Sequence, residues 1–205
     1  MINLSKHFLK IHKFPFYLFR IFRDVIYTYY HLGSWNYTWR FHDLPIIKKH
    51  LKSKIEIGNH FIACSNASYN SIGVFQKVML FTISESACIK IGNNVGISGS
   101  VISCQTSIII GDNVLIGSGV LITDNDAHSV NPLFRRIQGK NRSAPILIEN
   151  DVFVGARSII LKGVTLGEGC VVGAGSVVAS NVEHYSIVIG NPARKIGDVR
   201  DLKYS

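Results

Sequence analysis

From residue 148 onward an aliphatic residue returns at every sixth position: Ile148, Val154, Ile160, Leu166, Val172 and Val178. Four residues after each stands a generally smaller one: Val152, Ser158, Val164, Cys170, Ser176 and Val182. Gly155, Gly167 and Gly173 directly follow three of the aliphatic positions. The spacing recurs at Ile110, Ile116 and Ile122 and at Ile91 and Ile97, with a slip of one residue between Ile97 and Ile110. A degenerate start falls at Ile57, and the sequence from about 64 to 86 is less regular. A period of six fits neither an amphipathic helix, at about 3.6 residues per turn, nor a strand alternating every second residue. It predicts a mainly β protein: a parallel β-solenoid in which each hexad forms one flat side and three sides close a triangular coil of about 18 residues. The aliphatic residue points into the prism, and the small residue and glycine turn the corner. Stacked coils then bury a continuous apolar ladder. The predicted solenoid covers residues 55–197, with a tail at 198–205.

The rhythm breaks at residues 124–145, DNDAHSVNPLFRRIQGKNRSAP, an excursion of about one coil's length. Flat solenoid faces make poor pockets, so chemistry is expected in loops that leave the coil. This loop carries His128, with Asp126 two residues before it and Asp124 four before. A neutral imidazole, with a pKa near about 6.5, suits proton abstraction at physiological pH. Either acid suits a sugar hydroxyl or the orientation of the imidazole, as it equally suits an ordinary solvated turn.

Composition adds a second region. Residues 1–54 hold ten Lys/Arg against two Asp/Glu, and thirteen of the chain's twenty-one aromatic residues. A boundary is therefore expected near residue 54, with a basic aromatic appendage before it. Its stretch FYLFRIFRDVI reads as a short helix begun after Pro15, with much apolar area from Phe14, Phe16, Tyr17, Phe19, Phe22, Trp35 and Trp39. Such an element is expected to cap the open end of the solenoid. Peripheral contact with an anionic membrane face is a compatible second role. Lys10, Lys13, Arg20 and Arg23 break any apolar run long enough for a signal peptide or a membrane span. Cys64, Cys88, Cys104 and Cys170 form no CxxC pair, which suits a reduced, cytoplasmic setting. No nucleic-acid recognition motif and no Walker motif occurs, and GNNVGISG does not join a strand to a long helix as a dinucleotide fold requires.

Four segments, IGNNVGISGS (91–100), IGDNVLIGSGVLITDNDAH (110–128), VFVGARSIILKGVTLGEGCVVGAGSVV (152–178) and GNPARKI (190–196), resemble the hexapeptide-repeat acyltransferases with a left-handed parallel β-helix. Within that family the chain looks most like the galactoside, maltose and xenobiotic acetyltransferase branch and the sugar O-acetyltransferases of bacterial surface-polysaccharide pathways. The resemblance implies left-handedness, a homotrimer with sites between subunits, acetyl-coenzyme A as co-substrate, a sugar acceptor and no metal. It implies His128 as general base for direct acetyl transfer to a hydroxyl. Gly155-Ala156 and Gly173-Ala174 are its positions for the pantetheine arm, and the same residues equally serve the solenoid corner; Arg194 and Lys195 remain as partners for the phosphates, or as an ordinary solvated basic turn. A Thr-Lys pair of the family reads Ala179-Ser180 here, so Ser180 takes that place without the basic contact. An asparagine of some sugar acetyltransferases falls in ISGS, where Ser100 stands as a possible acceptor contact or a plain corner residue.

Three other classes share parts of this pattern. Amino-group acetylation of an amino sugar would use the same donor and base. A γ-type carbonic anhydrase shares the solenoid, but its zinc needs three converging imidazoles, and no second histidine lies within a coil of His128. A non-catalytic scaffold gives the histidine loop no role.

Overall fold

The computed structural model describes residues 4–137 and 139–203. The chain divides into two units, Met1–Tyr37 and Thr38–Ser205. The first is a single helix, α1 (Leu4–Leu32), running through Pro15 rather than beginning after it. The second is the solenoid.

Its coils follow in order. The first is β1 (Arg40–His42), β2 (Ile46–Lys48) and β3 (Lys54–Ile57); the second is β4 (Ile62–Cys64), β5 (Met79–Thr82) and β6 (Cys88–Ile91). The third is β7 (Gly96–Ser98), β8 (Val101–Cys104) and β9 (Ser107–Ile110). The fourth is β10 (Leu115–Ile116), β11 (Leu121–Thr123) and β12 (Ile146–Ile148), with the excursion between the last two. The fifth is β13 (Phe153–Val154), β14 (Ile159–Ile160) and β15 (Thr165–Leu166). The last is β16 (Val171–Val172) and β17 (Val177–Val178), after which Val182 bridges to Leu166. β18 (Ser186–Gly190) pairs with β16, and antiparallel β19 (Ala193–Asp198) closes the edge.

Every third strand stacks in parallel, giving three sheets: one from β1 through β19, a second from β2 to β17 and a third from β3 to β15. Phe153 registers on Val171, eighteen residues on, so the predicted coil length is met in this regular part. The predicted ladder is the core: Ile148, Val154, Ile160, Leu166, Val172 and Val178 are each at most 1% exposed. At the corner leading into the first sheet, Asn94, Asn113 and Asp151 adopt left-handed backbone, φ 56°, 59° and 58°. Asn and Asp tolerate that region best among residues with a side chain. Their side chains link coil to coil, Asn94 donating to Asn113 and Asn113 to Asp151.

The solenoid begins earlier than residue 55. Phe41, Ile47 and Ser53 stand six apart and are buried, but Lys48, Lys49, Lys52 and Lys54 point outward between them. The compositional step at residue 54 therefore lies inside the second unit: it marks a change in the outward-facing residues, not the end of the inward ladder.

Candidate active site

Residues 124–145 leave the corner between the second and third sheets and fold back on themselves. Asn125 and Ser143 form an antiparallel bridge, the Asp126 N–H donates to Arg142 O and the Ala144 N–H to Asp124 O. The Ala127 N–H donates to Asn125 Oδ1 at 2.9 Å, and Ala127 itself takes left-handed backbone, φ 57°. For a residue with a Cβ that conformation costs about 1–2 kcal/mol, and here the turn is held by the stem below it. The result is an exposed His128 whose imidazole has no hydrogen-bonding partner among the described residues. It lines a cleft of about 640 Å³ together with Ile83, Ser84, Gln105, Ser129 and Arg136. The cleft thus draws on three successive coils along one edge of the prism.

The two acids part company. Asp124 is fully buried, and its carboxylate accepts the Gln105, Thr106 and Ser107 N–H groups at 2.7, 2.6 and 3.0 Å and the Thr106 hydroxyl at 2.8 Å. Those residues turn the corner after β8, where the hexad phase slips, so Asp124 clamps the irregular turn. No oxygen remains for a sugar, and Asp124 is a structural residue rather than a substrate contact. Asp126 is ion-paired through Oδ1 with Lys162, while its Oδ2 is buried and accepts nothing among the described residues. Among the described residues it makes no hydrogen bond or ion pair with the imidazole. Sequence reasoning missed Lys162, although the register held the signal: Asp124, Lys162 and Ser180 each stand two residues after an inward residue of the second sheet, Ile122, Ile160 and Val178.

Ser100 is likewise structural. It is buried, its hydroxyl lies 2.7 Å from Gly117 O and 2.8 Å from Ser98 O, and it accepts the Val120 N–H at 3.0 Å. A corner residue satisfied on three sides has no capacity for an acceptor.

The residues expected for the acyl donor fall on two edges. Ser180, Arg194 and Lys195 line a cleft of about 440 Å³ with Asn181 and Glu183. Ser180 lies two coils along the second sheet from the base of the histidine loop, or about 10 Å at the usual strand spacing. Lys195 pairs with Glu183 at 2.9 Å, and Arg194 donates to Ala193 O. Gly155, Ala156, Gly173 and Ala174 instead occupy the corner between the first and second sheets. A Cβ on Gly155 would sit 2.5 Å from Ala174 N, so coil stacking alone demands that glycine. A Cβ on Gly173 would meet nothing nearer than 3.4 Å, and Ala174 is exposed. Stacking does not explain this second pair.

The buried thiols of Cys104 and Cys170 are each pushed up to about 12, first by burial and then by the charge of Asp124 or Glu149. A thiol held protonated is a poor nucleophile, so neither suits a covalent acyl carrier. Among the described residues no three His, Cys, Asp or Glu side chains converge as a metal site requires.

A family model, the hexapeptide repeat of succinyl-transferase, matches residues 145–180. The galactoside O-acetyltransferase of Escherichia coli K12 is 32% identical over 138 residues, covering 61% of this chain and 67% of that protein. A hexapeptide-repeat-containing acetyltransferase from Vibrio cholerae superposes with a TM-score of 0.51 at 25% identity, over 85% of this chain and 78% of that one. An N-acyltransferase from Bacillus cereus, at 21% identity and a TM-score of 0.55 over 74% and 79%, shares the fold. The three-sheet solenoid with its histidine loop defines the class, and the chain belongs to the hexapeptide-repeat acetyltransferases with a left-handed parallel β-helix.

Proposed function

We propose that the protein transfers an acetyl group from acetyl-coenzyme A to a hydroxyl of a sugar or a surface-polysaccharide precursor, with His128 as general base. The observation that carries this reading is the presentation of an unpartnered His128 imidazole in the cleft of the excursion. The galactoside O-acetyltransferase relationship supports the donor and the acceptor class. In the proposed reaction the imidazole takes the acceptor's hydroxyl proton while that oxygen bonds to the thioester carbonyl carbon. The tetrahedral intermediate collapses, the carbon–sulfur bond breaks, and the imidazolium returns the proton to the leaving thiolate. The raised thiols of Cys104 and Cys170 favour this direct route over a cysteine-bound intermediate.

Ser180 stands along the same edge as the histidine loop, and Arg194 and Lys195, which line one cleft with it from β19 of the first sheet, supply positive charge for the donor's phosphates. Gly173 and Ala174 lie on another edge, and in this reading they belong to the donor site of a neighbouring subunit in a homotrimer. The free cysteines suit a reducing cytoplasm.

Release of thiol from acetyl-coenzyme A, followed with a thiol-reactive dye against a panel of sugars and amino sugars, tests the reading. Wild type is expected to turn over a sugar, and His128→Ala to lose about 10²–10⁴ in kcat with donor binding kept. Equal rates in the two proteins remove His128 as base. Turnover confined to amino sugars makes the enzyme an N-acetyltransferase; the B. cereus protein of the same fold is an N-acyltransferase.

A further inference from the structure

The first unit carries a surface that acetyl transfer does not use. On the described part of α1 the large apolar side chains Leu18, Phe19, Phe22, Ile26, Tyr29 and Tyr30 are all at least 50% exposed. At about 100° per residue these positions fall within one arc of about 120°. Arg20, Arg23 and Asp24 lie outside that arc. The sequence keeps the same spacing upstream at Phe8, Ile11 and Pro15, with Lys6, Lys10 and Lys13 at the opposite positions. Asp24 is the only acid in the helix sequence, and it is paired with Arg23 at 2.7 Å. The remaining ionic charges of the helix, Lys6, Lys10, Lys13 and Arg20, are all positive.

An exposed aromatic stripe backed by cationic positions has the amphipathic pattern of a helix that lies in a bilayer interface. Tyr suits that depth because its ring is apolar and its hydroxyl wet. No described helix is long and apolar enough to cross a membrane, so the geometry is that of lying on one. We propose that α1 docks on an anionic lipid surface, with the Leu18–Tyr30 stripe in the acyl boundary and the basic positions at the headgroups. Charge decides against a second copy of the helix as occupant. Two copies packed stripe to stripe would leave the cationic positions of both on the outside and unmatched, whereas anionic headgroups complement them.

The test is sedimentation of the full chain with vesicles of mixed phosphatidylglycerol and phosphatidylcholine, against phosphatidylcholine alone. Binding is expected with the anionic vesicles, weakening as salt is raised, since screening shortens the reach of surface charge. The double variant Phe19→Ser, Phe22→Ser is expected to bind at least about tenfold less, and Arg20→Glu about tenfold less. Circular dichroism and thioester turnover on soluble acceptors, unchanged in both, would show that the chain is folded. Failure of wild type to sediment with anionic vesicles overturns the proposal, as does undiminished binding by the double variant. A lipid-free mass by light scattering that falls in the double variant, with wild type indifferent to vesicles, makes the stripe an interface between copies and equally overturns it.

Discussion

Asp124 and Asp126 show how little residue type says about role when two like residues stand in one loop. Both are acids near the candidate base, and each has an equal claim by spacing alone. Burial and partners separate them: Asp124 takes three backbone N–H groups and a hydroxyl, while Asp126 leans on Lys162 from the next coil. Hydrogen bonds to a charged group contribute about 1.5–3 kcal/mol each, and truncation also leaves buried donors unsatisfied. Asp124→Ala is therefore expected to lower unfolding stability by about 3–5 kcal/mol, read as a shift in the urea midpoint. At a temperature where the variant stays folded, KM for the acceptor should be unchanged. A large rise in acceptor KM with little loss of stability would return Asp124 to the substrate site. The place of His128 in an excursion from the coil was legible because the loop breaks the repeat. The partner of Asp126 was not legible, because a lysine at a solenoid corner looks like any solvated residue until the coils are stacked.

At the scale of elements, the hexads carried the fold wherever inward residues were aliphatic, and failed where other signals lay over them. The first coil shows why. Phe41, Ile47 and Ser53 keep the period, but an aromatic, an aliphatic and a serine share no side-chain class, and the lysines between them carry the composition of the appendage. The helix misled in a different way: Pro15 reads as a start because its ring cannot accept a preceding turn without strain, yet α1 continues upstream to Leu4. Glycines at corners look interchangeable in sequence and differ in the stack. Gly155→Ala would drive a Cβ to 2.5 Å from the Ala174 nitrogen and 2.7 Å from Val172 O, both backbone atoms of the next coil. Gly175→Ala meets open space and must only tolerate φ 71°. The first is expected to cost about 3 kcal/mol through forced separation of coils and the second about 1 kcal/mol of backbone strain. Paired urea unfolding curves decide it; equal losses would mean that conformation, and not coil contact, fixes both glycines.

For the whole molecule, the distribution of the donor positions is the informative feature. The histidine loop and Ser180 follow one edge of the prism and Gly173-Ala174 another, while Arg194 and Lys195 lie on β19 at the end of the first sheet. A single sequence lists both sets without saying that they face apart, so the chain alone suggests one site where the proposed function needs two halves. In the proposed homotrimer closed rotational symmetry resolves this, because a ring places one edge of each subunit against a different edge of its neighbour. Complementation between dead variants tests the arrangement. His128→Ala removes the base from one half, and Ala174→Trp blocks the other with a bulky group at an exposed position. Each alone should be inactive. If sites are shared, co-expression in equal amounts should restore about a quarter of wild-type activity, since a working site needs an intact His128 from one subunit and an intact Ala174 from its neighbour, each present half the time. If each chain holds its own site, every chain in the mixture carries one lesion or the other and activity stays at the level of the separate variants.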